Sequence, residues 1–110
     1  MTTYDFQDGN GLVAARQHSN GGGWVADTAM VDATAYVGPD AKVFGDAYVG
    51  PKVRVLDNAQ VYGYAKVADN AKVYGDALVF GNAWVFGDAE VSGNALVSGN
   101  ALVSGDSVVK

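Results

Sequence analysis

Cysteine is absent from these 110 residues, so neither a disulfide framework nor a thiolate metal site can form. There is one histidine, His18, too few for a multi-histidine metal site and without a serine–acid constellation for nucleophilic catalysis. The bland reading of His18, a polar residue bonding nearby backbone, outweighs a catalytic base. Two prolines leave the chain few rigid breaks. No apolar run reaches membrane-spanning length, and the N-terminus lacks a basic-then-apolar leader pattern; a soluble, cytoplasmic protein without membrane contact is expected. A basic face is missing as well. The formal charge of −5 argues against direct nucleic-acid binding, while leaving room for a protein partner.

What the chain has is repetition. From Gly21 to Lys110 one six-residue phrase recurs fifteen times without insertion: small residue, Asp or Asn, Ala, any, Val, any. Clear copies are Gly45-Asp46-Ala47-Tyr48-Val49-Gly50, Gly75-Asp76-Ala77-Leu78-Val79-Phe80 and Gly93-Asn94-Ala95-Leu96-Val97-Ser98. The fifth position is valine in all fifteen copies, and the third is alanine except at Gly23, Val53 and Ser107. Positions two apart point to the same side of a strand, so these columns form one narrow interior. Burying each valine stabilises by roughly 1.5 kcal/mol or more, which makes the column the main favourable term. The first two positions form corners, because glycine permits unusual φ/ψ and Asp/Asn tolerate the left-handed region. Calcium is disfavoured, since Asn replaces Asp at many copies and the spacing is six residues rather than nine.

The pattern Val-x-Gly-Asp/Asn-Ala-x resembles the hexapeptide-repeat proteins over Gly21 to Lys110. The resemblance implies a left-handed parallel β-helix of triangular section, eighteen residues per coil and about five coils. It is an all-β fold, with handedness supplied by the resemblance alone. Residues 1–20 break the pattern and read as a capping segment before the solenoid of residues 21–110. Tyr4 and Phe6 suit a strand, Asp8-Gly9-Asn10-Gly11 a turn, and Leu12 and Val13 a second apolar segment; a hairpin or strand–turn–helix would cover the first coil.

The enzymes of the hexapeptide class use a histidine base with an acyl-CoA cofactor, or three histidines holding zinc. Neither set has a counterpart between Gly21 and Lys110, so no cofactor, metal or enzymatic activity is expected. Ice binding is weakly supported, with Thr28 and Thr34 the only threonines in the repeat. Function should then lie in the outward columns. Eighteen-residue coils stack Phe44, Tyr62 and Phe80 beside Leu78 and Leu96 on one face, and Trp84, Phe86 and Leu102 on the next. These ladders read as a partner or oligomer interface, against the alternative of stacking that only supports the sheet. The repeat runs on to Val109, whose open end could pair with another chain. A homo-oligomer is expected, a dimer ahead of a trimer. The wording also resembles bacterial and phage Gly-Asp/Asn-Ala-x-Val-x proteins. That implies a rigid, non-enzymatic protein-interaction role, such as inhibiting a host defence complex, with a structural assembly module as the alternative.

Overall fold

The structure, a computed structural model, describes residues 2–110. After an N-terminal hairpin, short rungs recur every six residues from Trp24–Ala26 to Val108–Val109, and each pairs in parallel with the rung eighteen residues on. Three sheets result. The first carries the rungs at Trp24, Lys42, Gln60, Leu78 and Leu96; the second those at Met30, Tyr48, Lys66, Trp84 and Leu102. The third carries Tyr36, Arg54, Lys72, Glu90 and Val108. The chain is therefore a three-sided β-solenoid of about five coils. The rungs are mostly two residues long, shorter than a usual strand, because the corner takes up the rest of each phrase.

The interior is the valine and alanine columns. Val37, Val43, Val55 and Val73 have no exposed surface, nor do Ala41, Ala59 and Ala71. Val53, at a position where alanine is the rule, is equally enclosed. Backbone groups are satisfied between coils: the Lys42 amide donates to the Ala59 carbonyl at 3.1 Å and the Phe44 amide to the Val61 carbonyl at 3.0 Å.

The corners depend on local chemistry. Gly63 and Gly81 have φ near +70°, and a Cβ at Gly63 would lie 2.9 Å from the Gly81 amide nitrogen. Asp57 and Asp69 hold the same corner position with positive φ, and each sends a carboxylate oxygen to the next coil, accepting from the Gly75 and Gly87 amides at 3.0 and 2.9 Å. Asn and Asp alternate along one corner column, while Asn82–Asn100 and Asp88–Asp106 repeat the same residue in others. In the alternating column Asp40, Asn58, Asp76 and Asn94 follow one another coil by coil, and the Asn58 amide donates to the Asp76 carboxylate. Asn70 does the same to Asp88 in the next column. Where the two alternate, an amide donor stands between like charges.

The N-terminal segment is a hairpin, β1 (Thr3–Asp5) against β2 (Leu12–Gln17), and β2 continues antiparallel along β3 (Trp24–Ala26). It extends the first sheet beyond the first coil. Tyr4, Phe6 and Val13 do not lie over the open end of the interior. They pack on the outside of the first sheet, in a second small core with Ala15, Ala26, Phe44, Trp24 and Tyr62. Leu12, expected to cover the first coil, is 70% exposed because alternation along β2 turns it away from this core. The segment after β2 closes the third sheet. The Val37 amide donates to the Asn20 carbonyl, and the Gly23 amide donates to the Val37 carbonyl.

Candidate functional site

The outer columns differ face by face. On the first face the ring of Phe6 lies on Phe44, Phe44 on Tyr62 and Tyr62 on Phe80, with centroids 4.7, 4.7 and 5.0 Å apart. The last two pairs are within 4° of parallel, as the coil spacing of about 4.8 Å dictates. Tyr4 stacks on Trp24 beside them. The hairpin thus changes the expected contact stripe. Phe44 is 4% exposed, covered by the chain's own Phe6, and Tyr62 and Phe80 are half-buried. Burial raises the Tyr62 phenol above its ordinary pKa. Leu78 is half-buried, and Leu96 alone of this group stands well out of the surface.

The second face is more open. Met30, Tyr48, Trp84 and Leu102 all occupy the fourth position of the phrase, in register on one ladder, and all are exposed. Lys66 fills the middle rung. Its Nζ sits 4.8 Å above the Trp84 ring, so the charge rests on an aromatic face. Phe86 meets Trp84 edge-on at 6.3 Å, and Tyr64 stands exposed at the corner leading into this face. Trp84, Phe86 and Leu102 were legible as a stripe from the sequence. Met30 and Tyr48 share the eighteen-residue spacing with Lys66 and Trp84, whereas Tyr64 sits at a corner position usually held by Asp or Asn. Val109 is half-buried on the third sheet.

His18 is buried, with Nε2 2.8 Å from the Ala35 carbonyl. A carbonyl only accepts, so Nε2 carries the proton of this bond and the ring closes the first coil's backbone. Asp32 accepts from both the amide and the hydroxyl of Thr34, which holds its carboxyl below the usual range. Among the described residues no three metal-ligating side chains cluster.

With this geometry in place, the repeat can be compared with known families. Residues 71–87, 89–105 and 97–110 match the model of the YdcK beta solenoid repeat. This chain is similar to that repeat. The matched segments fall on the later coils, where the phrase is most regular. No curated protein and no solved structure matches the chain. The match concerns the solenoid repeat and assigns no activity.

Proposed function

We propose that this β-solenoid is a rigid, non-enzymatic protein-interaction module that uses its second face to bind protein surfaces, first of all a second copy of itself. The exposed ladder of Met30, Tyr48, Trp84 and Leu102 carries the reading. The repeat places its apolar residues inside, so it does not require large side chains on this ladder, and apolar residues clustered on either side of Lys66 mark a contact site. Shape supports self-association. Rungs recur at a constant spacing, so two such faces mesh at any whole-rung offset. An antiparallel pair offset by one rung sets Lys66 against an aromatic rung of the second copy rather than against its own equivalent. The resulting assembly is a dimer.

The proposal extends to a left-handed coil of the hexapeptide-repeat class and to a cytoplasmic role. Inhibition of a host defence complex, implied by the resemblance to phage repeat proteins, would use the same face. Because the chain has no cysteine, single thiols report on each face. Tyr48→Cys should lose reactivity toward a maleimide as protein concentration rises, while Leu12→Cys on the exposed hairpin should not. Equal reactivity of both at every concentration would sink the proposal.

A further inference from the structure

The third face holds a separate feature. A groove of about 720 Å³ runs along it, lined by Tyr36, Lys52, Arg54 and Lys72 with Thr34 and Asn70 at the corner. Three of the chain's seven basic residues meet there, in a protein whose net charge is −5. Among the described residues no carboxylate lines the groove, while Asp69 and Asp88 line the adjoining hollow that Lys52 also borders. Arg54 and Lys72 are directly paired rungs, so two basic side chains leave the sheet from backbones at the coil spacing of about 4.8 Å. Among the described residues neither forms a salt bridge, although Glu90 is the rung next to Lys72. Glu90, the next rung, instead accepts a hydrogen bond from the Tyr74 hydroxyl at 2.9 Å. Among the described residues the salt bridge is Arg16–Asp27, at the hairpin.

The third cation stands where the repeat is broken. Pro51-Lys52-Val53 replaces the usual small residue, Asp/Asn and Ala. Lys52 has φ +69°, a conformation that favours glycine or asparagine, and its amide donates to the Thr34 hydroxyl at 3.3 Å. A strained lysine kept beside two stacked cations is a local conflict that the fold does not need, and such conflicts concentrate at ligand sites.

The geometry points to an anion-binding site for a phosphoryl dianion, inorganic phosphate or a phosphomonoester, held by Lys52, Arg54 and Lys72. Three cations match a dianion better than a single carboxylate, and a planar guanidinium beside an ammonium suits a phosphoryl group. Binding removes the repulsion between Arg54 and Lys72, so the ligand also stabilises the fold by mass action.

The test is a titration of the ¹⁵N-labelled protein with inorganic phosphate at constant ionic strength, followed by amide shifts and melting temperature. Saturable shifts confined to the groove are expected, with a rise in Tm. Lys52→Asn should weaken binding at least tenfold while relieving the backbone, since Asn fits both the φ and the repeat. Arg54→Gln should also weaken binding at least tenfold and raise Tm in phosphate-free buffer; Gln60 shows that glutamine is accommodated at this position. Lys42→Gln, on the first face, should bind as the parent does. Absence of saturable shifts, equal binding of acetate, or undiminished affinity in both groove variants would overturn the assignment.

Discussion

Phe6 stacks on Phe44 at 4.7 Å with ring planes 17° apart, so the N-terminal hairpin is bolted to the outside of the solenoid. Phe6 is the outermost ring of a four-ring column whose other members belong to successive coils. Removing it strips the hairpin of its main anchor and exposes Phe44. Phe6→Ala should cost about 3 kcal/mol in thermal unfolding, within the usual range for a buried phenylalanine. Amide exchange should show where: protection falls across Thr3–Asp5 and stays high at the Val73 and Val79 rungs.

The corner glycines separate two effects. Gly81 has φ +69° and a Cβ there would meet the Gly99 amide nitrogen at 2.8 Å, whereas Gly99 has φ +62° and open space. Gly99→Ala should cost roughly 1 kcal/mol, the conformational cost alone. Gly81→Ala should cost about twice that. Gly81→Asp should be milder than Gly81→Ala, because its carboxylate can accept from the Gly99 amide as Asp57 does from Gly75. Chemical denaturation of the three variants gives the order directly.

Two groups titrate away from their ordinary values and shape opposite ends of the pH profile. The Asp32 carboxyl is held low by Thr34, so its contribution is present above its unfolded pKa and is lost as pH falls through the folded one. Thr34→Ala should flatten the acid limb of Tm against pH. Tyr62 is raised by burial, so the fold favours its neutral phenol. Its contribution is complete below the unfolded pKa near 10 and is lost as pH rises through the higher folded value. Tyr62→Phe keeps the ring column, should match the parent at pH 7, and should outlast it above pH 10.

The sequence made the inside of the molecule legible because period six and period two agree at the valine and alanine columns. Val25 through Val97 describe one interior, and that interior is what forms. The outside was harder. Phe44 belonged to an apolar ladder by spacing, but which rings cover one another depended on where the hairpin docked, and Phe6 lies thirty-eight residues away in sequence. The Asn58–Asp76 bond likewise needs the eighteen-residue stack, not the six-residue phrase. Lys72 and Glu90 stand eighteen residues apart and pair as adjacent rungs. In the fold Glu90 is engaged by Tyr74, a contact within one side of the prism that spacing alone does not rank.

The most direct test of the second face is the solution mass by light scattering, for the parent chain and for Trp84→Glu combined with Leu102→Glu. Both positions point outward, so the variant should keep the parent's circular dichroism and melting temperature to within a few degrees. The account predicts twice the chain mass of 11.3 kDa for the parent and a single chain mass for the variant. A monomeric parent at working concentration, or a variant that remains dimeric, would contradict it.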